Sequence, residues 1–291
     1  MLRRCAKFLV AETDAAPLRM FEILFTLSFL AWMGNNFLTG REWLTEEGFH
    51  LTKGELLALG YPAPWPLLPV WGVPLLALAI AGFSGCVLGN CWRRIGLIGC
   101  FACALYVQRA DFMGAFTLNK LFVAVYCLLA LAPGIHRGKS GGRLMVSAAP
   151  IRVLQATLIL QYLAAGWSKL YPGNWDDYSD ILWADAQGVY RTEIAAWMLR
   201  NFPKWVWAVM QYTSLGFELG APLLFTVRRL RPVAFVVGIG FHLMIALLMK
   251  DLIFFSFQMW AFYALFVSAE QWRAVGRWGA GRLGRMAAKL G

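Results

Sequence analysis

The sequence predicts an all-α polytopic membrane protein of about eight transmembrane helices, with both termini cytoplasmic and two long external loops. Three observations carry this. Of the 291 residues 59% are hydrophobic and only 15% charged, which points to a polytopic membrane chain before any motif is read. Apolar runs of near membrane length recur along it. The basic residues gather in every second turn between those runs, and the acidic residues gather in the others.

Residues 1–18 read as a basic arm with Arg3, Arg4 and Lys7, expected to form a short interfacial helix. The first apolar run begins near Met20, is full length and has no small-residue cleavage site after it, so no removable signal peptide is expected. Spans are expected over 19–38, 67–89, 94–109, 114–133, 151–170, 204–227, 232–249 and 252–269, a transmembrane domain of residues 19–269. The external loops are 39–66 and 171–203. Trp43 and Trp65 suit the first to headgroup level. In the second, Ile181–Leu182 and Ile194–Leu199 read as surface helices among Trp175, Trp183, Trp197 and several acids. Residues 270–291 read as a basic amphipathic cytoplasmic tail carrying Trp272 and Trp278, held by anionic membrane lipid.

Charge orients the spans. Arg3, Arg4, Lys7 and Arg19 share one side with Arg93 and Arg94, with Arg137, Lys139, Arg143 and Arg152, with Arg228, Arg229 and Arg231, and with the basic tail. They are most of the 27 Lys and Arg residues. Glu42, Glu46, Glu47, Glu55, Asp111, Asp176, Asp177, Asp180, Asp185, Glu193 and Asp251 take the other side. This is the positive-inside pattern, and it places the chain in the inner (cytoplasmic) membrane as a multi-pass protein. It also explains the net charge of +11 without a nucleic-acid partner. The elaborated face is external, where loops on a rigid scaffold carry function.

Polar residues inside the spans carry the functional argument. Counted from the cytoplasmic ends, Gln161, Glu218 and His242 lie roughly 13–15 Å deep, and Gln258 falls near the same level. An ionisable group at that depth should face the bundle interior and be paired. Glu218 and His242 therefore read either as a structural hydrogen bond between adjacent spans or as a pocket floor or proton relay. Gln161 and Gln258 read as helix–helix glue or as pocket lining. Lys120 lies higher within its span.

Lys169 falls roughly 25 Å up, at the external edge. Lysines at span ends usually bury the stem and place the ammonium at the headgroups. The small residues Ala165 and Gly166 argue instead that this face turns into the bundle, because they let a second helix approach. Trp167, Tyr171 and Trp175 stand near in sequence as walls for such a site. A lysine in a partly dry site can have its pKa lowered towards neutrality and act as a base.

Other features weigh less. Gly216-Phe-Glu-Leu-Gly220 has small-xxx-small spacing for close helix packing. Cys100-Phe-Ala-Cys103 has redox-pair spacing, but inside an apolar span its thiols pack as small hydrophobes. The cysteines avoid the long polar loops, so no disulfide framework is expected. His50, His136 and His242 are too dispersed for a metal site. There is no P-loop, dinucleotide-binding glycine pattern or serine-hydrolase elbow.

Three blocks together resemble the horizontally transferred transmembrane (HTTM) domain family, the membrane core shared with the vitamin K-dependent gamma-carboxylase. They are Tyr162-x-x-Ala165-Gly166-x-x-Lys169-Leu170; Glu218-x-x-x-Pro222 followed by Arg231-Pro232 and Phe241-His242; and Trp43-Leu44-x-x-Glu47-Gly48-Phe49-His50-Leu51. The resemblance covers most of the membrane core. It implies that fold, a quinone or lipid pocket, and at Lys169 the lysine proposed to deprotonate the vitamin K hydroquinone. The chain also departs from the family. Only residues 270–291 follow the last span, where a carboxylase has a large lumenal domain. Arg109, Asp111 and Lys120 occupy the region where the family has a histidine. Protein glutamate carboxylation is therefore not implied.

Two functions from different classes fit these readings. The first is a carboxylase-like or quinone-linked membrane enzyme. It would act on a quinol or other lipid-soluble substrate with Lys169 as general base, Glu218 and His242 tuning the site, and Gln161, Gln258, Trp167, Tyr171, Trp175 and Lys120 lining it. The alternative is a non-enzymatic membrane partner for the maturation or export of a peptide or small protein, since some HTTM-type members are associated with peptide-toxin maturation. Thiol redox chemistry at Cys100 and Cys103 is a third, weaker reading.

Overall fold

A computed structural model describes residues 10–110, 117–138 and 142–277. The chain is mostly helical, and a helix lies on each of the eight apolar segments. One addition to the all-α class is a small sheet in the order β1 (Glu12–Asp14), β3 (Leu144–Ser147), β2 (His136–Arg137). β2 and β3 are antiparallel, with His136 opposite Met145. Of the arm, Val10 is helical, Glu12–Asp14 is β1 and Ala16 begins the first long helix. The basic residues Arg3, Arg4 and Lys7, the acid Asp111 and residues 278–291 of the tail lie outside the described residues.

The chain divides into two compact units. The first takes residues up to Thr13 and Glu22–Pro150. It holds most of α1 (Ala16–Phe37), the short helices α2 (Gly40–Leu44) and α3 (Lys53–Ala58), and the consecutive helices α4 (Gly72–Leu88), α5 (Arg93–Ala110) and α6 (Thr117–Leu131). α4 packs on α5 and α5 on α6. Helix α4 begins later than expected, because Pro66 and Pro69 keep the preceding residues extended. Phe25, Phe29, Phe122 and Tyr126 meet edge to face, an arrangement that aromatic quadrupoles favour. Two of the unit's buried polar contacts are these: Tyr126 donates to Thr26 at 3.2 Å, and the fully buried Glu22 carboxylate is held by Arg93. Cys100 and Cys103 are buried free thiols, and Cys100 Sγ lies 3.7 Å from Ser84 Oγ.

The loop 39–66 is tied down. Leu68 N–H donates to Leu44 C=O at 2.8 Å and Trp65 N–H to Arg109 C=O at 3.0 Å. Thr52 and Glu55 form a reciprocal capping box that starts α3. The exposed Glu47 carboxyl is held below its usual range by the hydrogen bonds from Arg41.

The second unit takes Asp14–Phe21 and residues from Ile151 onward. It holds α7 (Ala148–Leu170, from Ile151), α8 (Ile181–Asp185), α9 (Glu193–Asn201), α10 (Lys204–Thr226), α11 (Arg231–Leu248) and α12 (Leu252–Tyr263), followed by a 3-10 turn at Ala264–Phe266. The backbone then bends by 108° into a helix over Ala269–Arg277. Residues 171–203 carry α8 and α9 where surface helices were expected. They have their own small core, in which Leu182, Ala186 and Ala195 pack with Trp207 and Leu248.

Among the described residues three helices, α1, α7 and α11, are long and apolar enough to cross a membrane, and the bent pair Leu252–Phe266 with Ala269–Arg277 makes a fourth if it is one span. Helix α11 shows why an apolar solvent suits them. Val233, Val236, Ile239, Leu243 and Leu247 are exposed along one face, while His242 is fully buried on the other. A soluble amphipathic helix has the reverse polarity.

Candidate functional site

The polar interior of the second unit is built where α7 meets α10. Gly166 makes the crossing possible: a Cβ added there would lie 3.0 Å from Glu218 Cβ and 3.0 Å from a Leu219 methyl. Lys169 is one turn further along the same face of α7. Helical side chains lean towards the N-terminus, so its stem reaches back over Gly166 to the level of the crossing. There Nζ donates to both carboxylate oxygens of Glu218 at 2.6 Å. The Lys169 side chain is 23% exposed and that of Glu218 4%. The pair is therefore shut in at the carboxylate and open at the ammonium. Indole and phenyl rings complete its walls, with the ammonium 4.8 Å from the Trp175 ring centroid and 5.6 Å from that of Phe241.

A second polar cluster lies deeper along α7. Tyr162 Oη is 2.7 Å from His242 Nε2 and 2.8 Å from Tyr263 Oη. His242 also anchors α12 through its backbone, since Ser256 Oγ donates to its carbonyl at 2.8 Å. Its Nδ1 is buried with no partner. Gly238, one turn before His242 on α11, makes room for the tyrosine: a Cβ there would fall 2.0 Å from Tyr263 Oη and 2.8 Å from Phe217 Cζ. Gly238→Ala must therefore displace the Tyr263 hydroxyl. The expected cost is about 1–3 kcal/mol of stability, read as a lowered unfolding midpoint. An unchanged midpoint would mean that the Tyr162–Tyr263 contact is not formed.

The segment 171–203 is fastened to this site through Gln211. Gln211, fully buried on α10, accepts from Leu182 N–H at 2.9 Å and donates to Trp175 C=O at 2.8 Å and to Tyr178 C=O. It lies two turns from Glu218 on the same face of α10. Gln211 thus fixes the backbone of Trp175, and the Trp175 ring lies against Lys169. The loop is further pinned to α11, where Thr192 Oγ1 donates to Leu247 C=O at 2.6 Å.

The structure brings together Lys169, Glu218 and Trp175, and beside them Tyr162, His242 and Tyr263. The expected Glu218–His242 contact is not formed, because each group has another partner. Depth counted along separate helices put Lys169 well above Glu218. Helix crossing and the length of the lysine stem close that gap. Trp167 and Tyr171 do not wall the site. They are 63% and 76% exposed, because a position two residues from Lys169 is turned about 200° around the helix. Gln161 is half-buried, with Oε1 lacking a partner, and Gln258 is fully buried on α12. Lys120 is exposed on α6 and belongs to the first unit. The glycine pair on α10 is not the close contact either. Gly216 is exposed, and a Cβ on Gly220 would meet only Leu224 of its own helix. Reading the sequence missed Tyr162, Tyr263 and Gln211. The signal for Gln211 was present, a glutamine inside an apolar run on the same helical face as a glutamate. Comparison with protein-family models, with curated proteins and with solved structures finds no match.

Proposed function

We propose that this chain is a multi-pass protein of the cytoplasmic membrane with eight spans and the HTTM-type arrangement its motifs resemble, and that the Lys169–Glu218 pair takes a proton from a quinol or another weakly acidic lipid-soluble substrate. One observation carries the reading: a buried carboxylate bonded through both oxygens to a lysine that remains open on one side. At 2.6 Å, Lys169 can pass one proton to Glu218 and leave a neutral amine. The amine takes the proton of a substrate hydroxyl as that O–H bond breaks. The product oxyanion then lies beside the re-formed ammonium, with Glu218 protonated, and charge is conserved throughout. A low-dielectric site favours this shuffle, because burial disfavours the doubly ionised pair. The Tyr162–His242–Tyr263 cluster is the polar floor of the same unit.

Binding tests it. Purified wild-type protein is expected to bind a short-chain hydroquinone with quenching of tryptophan fluorescence, Trp175 being the ring nearest Lys169. Lys169→Arg should still bind but lose turnover, since an arginine stays protonated. Full activity in the arginine variant would leave Lys169 as an anchor only. Topology is checked separately. A cytoplasm-dependent reporter should be active after Gly291 and silent within residues 176–190, and activity at the second position would overturn the eight-span arrangement.

A second reading has its own support. The folded external segment exposes Tyr178, Val189, Tyr190 and Trp197, apolar surface suited to a peptide or small protein partner. Under that reading the chain is a non-enzymatic partner for peptide maturation or export. A peptide that co-purifies with wild type and is lost on Trp197→Ser, with hydroquinone binding absent, would favour it.

A further inference from the structure

Lys169 marks one end of the second unit; the other end gathers arginines from separate elements. Arg152 opens α7, Arg228 and Arg229 form the turn after α10, and Arg231 opens α11. The backbone brings these ends together. Arg231 Nε donates to Phe225 C=O at 3.0 Å and its Nη1 to Phe266 C=O at 3.5 Å. Gln155, which accepts from Arg152 at 3.1 Å, donates to Leu265 C=O at 2.7 Å. The guanidinium of Arg231 also lies 5.6 Å from the Phe266 ring centroid. Arg152 and Arg228 are both near enough to act on Arg231 by charge.

Asp14, the acid that the same unit contributes ahead of α1, is taken by Arg273. Among the described residues no carboxylate pairs with Arg228, Arg229 or Arg231, and the acceptors of Arg231 are backbone carbonyls. Each guanidinium presents a planar fork of five donors, and carbonyls fill only part of the fork on Arg231. The forks of Arg228 and Arg231, which meet no carboxylate among the described residues, match the tetrahedral oxygens of a phosphate.

We propose that Arg152, Arg228 and Arg231 form a binding site for a phosphate group, carried on an anionic lipid headgroup or free. The site joins the starts of α7 and α11, the helices that carry Lys169 and His242.

The test uses the full chain purified in detergent. It is titrated with short-chain phosphatidylglycerol, with short-chain phosphatidylcholine and with inorganic phosphate, reading the unfolding midpoint and the lipid retained in native mass spectra. Wild type should retain phosphatidylglycerol in preference to phosphatidylcholine and be stabilised by it. Arg228→Gln removes a charge that holds no other group in the described structure, so folding should survive; its retention should fall about fivefold. Arg231→Gln should lose more, and if it fails to fold the Arg228 variant still decides. Arg94→Gln, in the first unit, should behave as wild type. Displacement of the lipid by inorganic phosphate at equal concentration assigns the site to free phosphate, and its failure assigns it to the headgroup. Equal retention by wild type and Arg228→Gln, or equal retention of the two lipids, would overturn the site.

Discussion

Lys169→Met should be the most damaging single substitution in the site, destabilising the protein by about 3–5 kcal/mol. It strands Glu218, whose side chain is only 4% exposed, without its counter-charge. The mirror change should be milder. Glu218→Gln leaves Lys169, whose side chain is 23% exposed and whose flexible stem can swing the ammonium outward. The double variant Lys169→Met with Glu218→Leu should recover most of the loss, since replacing a whole buried pair by apolar groups of similar volume is often neutral. Equilibrium unfolding of the three variants checks the order. Equal losses from the two single changes, or an additive double variant, would show that the ion pair does not exist in the membrane.

Gln211→Leu should have the next largest effect, with a different signature. It removes the partners of one buried N–H and two carbonyls, those of Leu182, Trp175 and Tyr178. Leaving such groups unmet costs about 1–3 kcal/mol each where water cannot replace the partner. Because the loop can yield, the total is expected at about 2–4 kcal/mol. The change should appear as faster amide exchange and easier proteolysis across residues 175–182. The α7–α10 crossing should stay intact, because Gly166 and Glu218 make it without Gln211. Hydroquinone binding, on the proposed function, should weaken as Trp175 loses its fixed place beside Lys169. Unaltered exchange in 175–182 would mean that the segment 171–203 is held by other contacts.

Much of the fold was legible because helices and their breaks are written locally. Apolar runs located all eight long helices within a few residues. Pro66 and Pro69 delayed α4, and the Ile181 and Ile194 segments formed the short helices expected of them. The small sheet was not legible: His136-Arg137 and Leu144–Ser147 are too short to show a period. The site was legible in its charged members and not in its connections. Lys169 and Glu218 stand out in their apolar runs by their charge. Tyr162 and Tyr263 look like ordinary apolar lining until their hydroxyls are seen to share His242. Which acid meets which base depended on the crossing at Gly166, where a missing side chain on α7 sets the level of α10. Nearness in sequence misled at Trp167 and Tyr171, whereas Trp175 reached Lys169 only because the chain turns back after α7.

The most direct measurement of the central claim is an optical titration of a hydroquinone bound to the purified protein. The oxyanion absorbs at longer wavelength than the neutral hydroquinone, so its formation is read without knowing the natural reaction. If Lys169 and Glu218 act together as the base, the bound hydroquinone should ionise at a pH well below that of the free compound. Lys169→Arg and Glu218→Gln should each still bind it but shift ionisation back towards the free value. Identical ionisation in wild type and Lys169→Arg, or hydroquinone that binds only in its neutral form at every pH, would contradict the account.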